Sequence, residues 1–352
     1  MSIRLQRLSR SLERQPVWLA MALAIGAAIT AVAIVAGSKL NLADLLAVTP
    51  LLACARCNGR LTTLAAGCAI ALSAIVGIVY GGPTTASVAY RFAIVGGAGI
   101  FAILAAVMRG RREDTLIRIS ERVQRAILRP LPGELGGVAF ASHYQSASPQ
   151  ALVGGDLYDV TMTPFGPRLI IGDVKGKGLD AVGQCAAVLA IFREMAPTEP
   201  DLVRLAVAMD ARFARDIGIE DFVTVILAEF APGEVRLVNC GHHPPLRLAA
   251  GSRELQALEA EPACPPLGLN PSPHRQDVRL KPGDRLVFYT DGLVEARDPA
   301  GRFLVLDHRV AAALGGPDLE AAVQRVVRLL LEHAGGELAD DVLLVLASPL
   351  DM

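Results

Sequence analysis

The sequence has no surplus of basic residues, unlike proteins that bind nucleic acids through their charge. Its 352 residues include 34 lysines and arginines against 35 aspartates and glutamates, for a formal net charge of −1. Residues 109–352 are net acidic, with 26 basic and 33 acidic side chains. Such a surface repels a polyphosphate backbone. We therefore expect no nucleic-acid partner.

The sequence also lacks the paired cysteine and histidine motifs of a zinc site. Six cysteines are present, but the CxxC formed by Cys54 and Cys57 has no second pair or histidine cluster to complete four ligands. Disulfides are not expected in a cytoplasmic domain. The cysteines are therefore interpreted as ordinary thiols.

Acidic residues are scarce in residues 1–108, which have two of them, eight basic residues and nearly all of the excess apolar sequence. A helix needs about 20 apolar residues to cross the hydrocarbon core of a membrane. Four spans are predicted, at residues 17–37, 40–55, 61–80 and 92–108. The second is the weakest, because it is short and contains Asp44 and Pro50. The first exceeds the roughly 7–15 apolar residues of a signal peptide, so we expect it to be retained.

The arginines that flank these spans predict the orientation. They form three groups: Arg4, Arg7, Arg10 and Arg14; Arg56 and Arg60; and Arg109, Arg111 and Arg112. Four spans place all three groups on one side of the membrane, whereas three spans would divide them. The positive-inside rule makes that side the cytoplasm. The sequence thus predicts a multi-pass protein of the cytoplasmic (inner) membrane whose C-terminal two-thirds is cytoplasmic.

An amphipathic connector helix is predicted within residues 109–135. Its apolar positions recur at helical spacing among charged residues: Leu116, Ile119, Val123 and Ile127. Pro130 ends the helix. The stripe, within residues 113–128, suits a homodimer contact, packing on its own domain, or the lipid surface. The sequence leaves these three alternatives open.

From residue 136 onward the pattern becomes mixed α and β. Strands are predicted at residues 138–147, 167–174, 221–230, 234–241, 284–292 and 341–348, and helices at 181–196, 200–218 and 319–333. The Pro-Gly turn between residues 230 and 234 forces an antiparallel hairpin. This order favours an α+β fold of antiparallel sheets with helices outside, rather than a doubly wound parallel sheet.

The stretch LIIGDVKGKGLDA, residues 169–181, resembles a phosphate-binding loop, because an apolar run is followed by glycines and lysines. A Walker A loop requires G-x-x-x-x-G-K-[ST]. Here Gly172 and Gly176 are one residue too close, and Gly178 stands where the hydroxyl residue should be. Asp173 at the mouth of the loop would repel phosphate unless a cation came between them. The stretch therefore favours a metal site.

Carboxylates in equivalent places support that interpretation. Asp156, Asp173, Asp291 and the pair Asp340 and Asp341 each lie at a predicted strand end or tight turn. One Asp-Gly pair alone is more typical of an ordinary turn. Carboxylates without cysteine or histidine favour Mg²⁺ or Mn²⁺ over zinc. Together these residues predict a site for a hard divalent cation.

Five successive motifs resemble those of the protein phosphatase 2C superfamily (PPM-type), in particular its bacterial branch of sporulation and stress-response phosphatases that regulate sigma factors. They are VGGDLYDV, IGDVKGKGLDA, NCGHHPPLRL, YTDGLVEARDPAGR and DDVLLVL, and the resemblance covers about residues 136–346. It implies that residues 136–352 form a four-layer α-β-β-α sandwich that hydrolyses phosphoserine and phosphothreonine with metal ions. The apolar residues 1–108 carry no such motif.

The resemblance also implies the ligands. Asp156 and Asp173 would bridge two Mn²⁺ or Mg²⁺ ions, the Val174 carbonyl would add a ligand, and Asp291 and Asp340 would bind the second ion. Asp340 is preferred to Asp341 because the first acid of this pair aligns with the family's ligand. Two ions about 3.5–4 Å apart lower the pKa of a bound water from 15.7 toward roughly 7. That water, and not a side chain, would be the nucleophile.

Some positions depart from the family pattern. Ala151 replaces an arginine that many relatives place near the phosphate, Lys175 replaces a frequent serine, and Leu343 replaces a usual threonine. Lys175 is a candidate for binding phosphate, although a solvated loop lysine is the more ordinary interpretation. His242 and His243 could act as general acid, but turn histidines braced by the following prolines are favoured. Every carboxylate is retained, so we expect an active enzyme.

The sequence as a whole predicts a membrane-anchored serine/threonine phosphatase. The branch that it resembles commonly acts on phosphorylated anti-sigma-factor antagonists, which is the substrate expected here. Two alternatives remain. One is a catalytically silent membrane scaffold that binds a regulator through the same domain; the other is a membrane-tethered two-metal nuclease, which the acidic charge disfavours.

Overall fold

The structure, a computed structural model, describes residues 3–36, 42–79, 85–145, 154–215, 221–336 and 338–350. The chain divides into two compact units, Met1–Leu116 and Ile117–Met352. The boundary falls within one helix, Thr85–Ile127, because the predicted connector continues the last predicted span without a break.

The first unit consists of helices, the last of which continues into the second unit. They are α1 (Ile3–Ala36), a 3-10 helix (Leu42–Ala47), α2 (Val48–Arg56), α3 (Gly59–Val79) and α4 (Thr85–Ile127). By length and composition, three helical stretches of the described residues are able to cross a membrane: Gln15–Ala36, Gly59–Val79 and Ala89–Leu116. These correspond to three of the four predicted spans.

The remaining prediction, a span at residues 40–55, is wrong as a single membrane-crossing helix. The segment is divided into the 3-10 helix and the 9-residue α2. Pro50 lies in the first turn of α2, where a proline is tolerated because that amide has no intrahelical partner. The same missing amide prevents the α-helix from extending back through Leu46. The break therefore follows from the sequence.

The broken segment nevertheless runs back along α1. Ala43 shares a buried cluster with Ala33, near the end of α1, and Ala53 shares one with Ala22, nearer its start. At the far end of the segment, the Cys57 thiol lies 3.6 Å from the carbonyl oxygen of Gln15. The end of α2 thus lies at the same end of the helical bundle as Gln15, where the apolar part of α1 begins.

Basic side chains gather at that same end. The Arg56 guanidinium lies 5.7 Å from the centre of the Trp18 ring. Arg109 donates to the carbonyl oxygens of Cys54 and, at 2.8 Å, of Cys57. Arg109 thereby satisfies carbonyls at the C-terminus of α2 that have no partner within the helix.

The second unit contains two antiparallel sheets. Their strands are β1 (Glu134–Leu135), β2 (Val138–Gln145), β3 (Asp156–Thr163), β4 (Gly166–Val174), β5 (Val223–Ala231), β6 (Glu234–Cys240), β7 (Leu246–Leu248), β8 (Leu255–Ala257), β9 (Arg275–Arg279), β10 (Arg285–Tyr289) and β11 (Val342–Pro349). The strand orders are β1-β2-β11-β10-β7-β8 and β3-β4-β5-β6-β9. The predicted hairpin is confirmed as β5 and β6, which pair from Ala231↔Glu234 onward.

The sheets pack face to face, with helices outside. Phe140 of β2 meets Phe230 of β5 edge to face at 5.5 Å between ring centres. On β11, Val345 belongs to the cluster between the sheets, whereas Leu344 and Leu346 belong to the one shared with α9. The helices are α5 (Leu179–Met195), α6 (Leu202–Phe213), α7 (Asp291–Val294), α8 (His308–Ala313) and α9 (Leu319–Ala334). Because α5 and α6 cover the β3–β4–β5–β6–β9 sheet and α9 covers the other, the predicted four-layer α-β-β-α sandwich is confirmed.

Candidate metal centre

Two of the predicted ligands, Asp156 and Asp173, lie opposite each other on neighbouring strands. Asp156 is the first residue of β3, and the antiparallel register pairs it directly with Asp173 on β4. Asp156 is buried, with 3% of its surface exposed. Directly opposed residues of an antiparallel pair have Cβ atoms about 4.5–5.5 Å apart. The register alone therefore brings these two carboxylates together.

Gly155 allows the backbone to close around this pair. Its carbonyl accepts a hydrogen bond of 3.0 Å from the Val174 amide. A Cβ at position 155 would collide with the Val174 carbonyl oxygen and come within 2.7 Å of Asp173 Oδ1. Only glycine fits there. The predicted Val174 carbonyl ligand thus lies directly beside the Asp156–Asp173 pair.

Asp291 reaches the same place from the other sheet. Strand β10 ends at Tyr289, and Asp291 opens the one-turn helix α7 rather than ending the strand as predicted. A Cβ on the next residue, Gly292, would overlap the Asp341 carbonyl oxygen. The two segments that carry Asp291 and Asp340 are therefore in direct backbone contact.

The adjacent acids Asp340 and Asp341 have different surroundings. Asp341 is buried, and its Oδ2 accepts a hydrogen bond of 3.1 Å from the Tyr144 hydroxyl. The Asp340 side chain is 30% exposed and forms an ion pair with Lys177 through Oδ1. That oxygen also accepts from the Asp341 amide at 2.8 Å. Both acids act on the rest of the cluster, since each raises the pKa of Asp173.

Burial and mutual repulsion raise the pKa values of the clustered carboxylates. Burial, followed by the charges of Asp291 and Asp340, raises the pKa of Asp173 to about 8. Burial and then the charge of Asp173 raise the pKa of Asp156 well above its ordinary value. Burial and Asp340 likewise raise the pKa of Asp291. Carboxylates from segments that are far apart in sequence thus share one electrostatic environment.

Thr290 is part of the site, although no local sequence pattern indicates it. It is fully buried, and its hydroxyl donates to Asp156 Oδ2 at 3.1 Å. The same hydroxyl accepts from the Leu343 amide at 3.0 Å. It therefore ties β10 and β11 of one sheet to the first residue of β3 in the other. The partner residues lie more than 50 positions away, so no local pattern could have indicated this role.

The chemical type of these donor atoms suits a hard divalent cation. They are carboxylate oxygens and a backbone carbonyl, the ligands that Mg²⁺ and Mn²⁺ prefer. Within the described residues, however, no three His, Cys, Asp or Glu side chains yet stand close enough together to enclose an ion. Existing contacts explain part of this, because Asp340 faces Lys177 and Asp341 faces Tyr144.

The other residues considered from the sequence lie around this centre. Lys175 places its ammonium group 5.2 Å from the centre of the Phe222 ring. The ring nitrogens of His242 are 3.0 Å from the Thr224 hydroxyl and 3.1 Å from the Tyr289 carbonyl oxygen, and burial lowers its pKa to about 3. His242 is thus a neutral structural residue. His243 stacks on Tyr289 at 5.8 Å, and Ala151 lies outside the described residues.

Known structures share this fold. The SiaA-PP2C domain of Pseudomonas aeruginosa matches with a TM-score of 0.57 and 20% identity, over 69% of this chain and 98% of that one. The RsbU and RsbW domains of Rv1364c from Mycobacterium tuberculosis match with a TM-score of 0.53 and 25% identity, over 61% of each chain. The match therefore spans less than two-thirds of the Mycobacterium chain in that structure.

The sequence itself matches a family model. Residues 165–349, more than half of the chain, match Stage II sporulation protein E (SpoIIE). The matched region begins one residue before β4 and ends at the last residue of β11, so it contains Asp173, Asp291 and Asp340. Its fold is that of the SiaA-PP2C domain. The chain therefore belongs to the SpoIIE family.

Proposed function

We propose that this chain is a membrane-anchored, metal-dependent protein serine/threonine phosphatase. The observation that carries the proposal is the convergence of Asp156, Asp173, Asp291 and Asp340 from separate strands and turns, with burial and mutual repulsion raising the pKa values of the first three. Buried like charges are unfavourable unless a cation compensates them. Strongly shifted pKa values of this kind cluster at functional sites.

Different residues of the chain would bind the cations and orient their ligands. Asp156 and Asp173 would bind both cations of the pair, the Val174 carbonyl would add one ligand, and Asp291 and Asp340 would bind the second cation. Thr290 fixes the orientation of Asp156 through its hydrogen bond. When bound, two divalent cations supply the activation of a water molecule and the neutralisation of charge on the phosphoryl group. The carboxylates therefore position the reaction, and no side chain has to act as a covalent nucleophile.

The proposed substrate is a phosphorylated anti-sigma-factor antagonist. Two facts support it: the chain belongs to the SpoIIE family, and its fold matches a protein in which an RsbU domain is joined to an RsbW domain. Neither fact identifies the substrate protein, so the assay below uses a generic phosphopeptide for the chemistry.

The proposed location is the cytoplasmic membrane, with the phosphatase domain in the cytoplasm. Three helical stretches are long and apolar enough to cross the bilayer. The segment 42–56 returns the chain to the end of the bundle where Trp18, Arg56 and Arg109 lie. If this segment completes a passage, the chain crosses the membrane four times and all three arginine groups lie on the cytoplasmic side.

The proposal is tested with the full chain in detergent. A phosphoserine peptide is incubated with the wild type and with Asp173→Asn, in Mn²⁺ or in EDTA. We expect phosphate release by the wild type in Mn²⁺ alone and none by the variant. A wild type that binds the peptide but releases no phosphate would favour the scaffold alternative, and cleavage of added RNA or DNA would favour the nuclease.

A further inference from the structure

One ammonium group lies inside the acidic cluster. Lys177 is in the loop between β4 and α5, and its Nζ forms an ion pair with Asp340 Oδ1, a contact across 163 positions of sequence. The Lys177 side chain is only 14% exposed. Lysines are ordinarily solvated, so an ammonium buried to this degree needs a specific partner.

The backbone of the loop turns this lysine toward the carboxylates. Its neighbours Gly176 and Gly178 have φ angles of 116° and 93°. Side-chain-bearing residues rarely adopt these angles, so the two glycines permit a path that other residues would resist. The orientation of Lys177 is therefore determined by the local sequence GKG.

The charge of Lys177 acts on more than its ion-pair partner. It lowers the pKa of Asp173 and of Asp291, opposing the increase that burial and the neighbouring acids cause. A single ammonium thus compensates three of the four carboxylates assigned to the cation pair. Lys177 thus provides part of the positive charge that a divalent ion would provide there.

The contact also occupies one of the two Asp340 oxygens that a cation could bind. Asp340 Oδ1 already accepts from Lys177 and from the Asp341 amide. A carboxylate oxygen has two lone pairs directed at partners. A divalent ion bound through this oxygen would face the ammonium at close range, and two positive charges at such a distance repel strongly in a partly buried site.

We propose that Lys177 is a tethered counter-ion that competes with the divalent cation for Asp340 and so lowers the affinity of the site. The inference rests on the proposed function. The lysine stabilises the carboxylate cluster when no ion is bound, and a second ion has to bind Asp340 against the repulsion of this ammonium group. The free concentration of cation at which the centre fills is therefore set in part by this residue.

The test measures binding, not activity. Free Mn²⁺ is followed by electron paramagnetic resonance while the full chain in detergent is titrated with the ion. We compare the wild type with K177Q, K177R and K175Q. The first variant removes the charge, the second keeps it, and the third removes a charge from the same loop that lies over the Phe222 ring.

We expect K177Q to bind Mn²⁺ on the order of tenfold more tightly than the wild type, since a short-range repulsion is removed. K177R should remain close to the wild type, and K175Q should change the affinity less than about threefold. In EDTA, K177Q should also unfold at a lower temperature than K175Q, because the carboxylates lose their compensating charge.

Equal or weaker Mn²⁺ binding by K177Q would overturn this inference and leave the proposed function intact. If neither the wild type nor K177Q binds Mn²⁺, both proposals are contradicted. Tighter binding by K177R to the same extent as by K177Q would show that the length of the side chain, and not its charge, controls the site, and would also overturn the inference.

Discussion

Asp156 and Asp173 are direct cross-strand partners at the adjoining ends of β3 and β4, on either side of a backbone approach that only a glycine at position 155 permits. Two like charges directly opposite each other destabilise a sheet. Here burial adds to that repulsion, so the pair lowers the stability of the fold while it prepares a site for a cation. Stability and function are therefore in conflict at this position.

The conflict predicts that Asp173→Asn stabilises the cation-free protein. The folded-state pKa of Asp173 is about 8, above the ordinary value of 3.8. A raised carboxyl pKa favours folding below pH 4 and loses that contribution as the pH rises toward 8. In EDTA at pH 7.5, which is 3.7 units above the ordinary pKa, we expect the variant to be more stable by up to about 5 kcal/mol, since each pKa unit is worth about 1.4 kcal/mol.

Calorimetry of the full chain in detergent, in EDTA at pH 5, 6 and 7.5, measures this difference. The advantage of the variant should grow with pH, and it should disappear or reverse when Mn²⁺ is added, because Mn²⁺ can stabilise only the wild type. Asp277→Asn is a matched control, because the Asp277 side chain is exposed on β9 beside Arg275. A variant less stable than the wild type at pH 7.5 in EDTA would refute the electrostatic account.

Thr290→Val should weaken both the fold and the site. The substitution keeps the shape of the side chain but leaves Asp156 Oδ2 and the buried Leu343 amide without their partner. Leaving a buried group without its hydrogen bond costs about 1–3 kcal/mol. We expect that loss in urea unfolding and weaker Mn²⁺ binding in the titration, with Thr290→Ser restoring both. Unchanged Mn²⁺ affinity in the valine variant would remove Thr290 from the site.

A buried ion pair on the opposite face of the same sheet should matter to stability alone. Arg168 is fully buried and donates to Glu229 and to the backbone carbonyls of Ala196 and Pro200. These hydrogen bonds connect β4 to the segment between α5 and α6. Removing one partner of such a pair costs about 3–5 kcal/mol.

We therefore expect Arg168→Met to lower the free energy of unfolding by that amount, measured by urea denaturation. The control is Arg302→Met. The Arg302 side chain is 79% exposed, and its partner Asp298 is four residues away in sequence. Exposed pairs contribute about 0–1 kcal/mol. Equal losses in the two variants would mean that burial does not determine the strength of the Arg168 pair.

Reporter fusions distinguish four membrane passages from three. If residues 42–56 complete a passage, the N-terminus and the phosphatase domain lie on the same side, and a periplasmic alkaline phosphatase reporter should be inactive at both ends. A fluorescent reporter that matures only in the cytoplasm should be active at both. Opposite behaviour at the two ends would mean three passages and would divide the arginine groups.

The parts of the fold that follow from local pattern could be predicted from sequence. The apolar run before Asp173 predicts β4, and the Pro-Gly turn predicts the β5–β6 hairpin. Strand β3 was not predicted, because Asp156 and Asp159 interrupt its apolar pattern. Asp159 is buried there in an ion pair with Arg193 from α5, a partner that only the fold supplies. Strands of three residues, such as β7, are too short to give a periodic signal.

The same limit applies to the site. Aspartates at element ends predict which residues converge, because strand ends of an antiparallel sheet meet. The contacts of Thr290 with Asp156 and of Lys177 with Asp340 join segments more than 130 positions apart. Lys177 differs from Lys175 in having a glycine on each side, but the sequence does not show that Gly176 and Gly178 adopt positive φ angles or that Lys177 meets Asp340.

Anomalous diffraction from crystals of the chain grown in Mn²⁺ tests the central claim most directly. The account predicts two manganese peaks about 3.5–4 Å apart. Both should lie against Asp156 and Asp173, one of them also against the Val174 carbonyl and the other against Asp291 and Asp340, with Lys177 displaced from Asp340. Full occupancy of Mn²⁺ at other positions, or the absence of any peak between these carboxylates at saturating Mn²⁺, would contradict it.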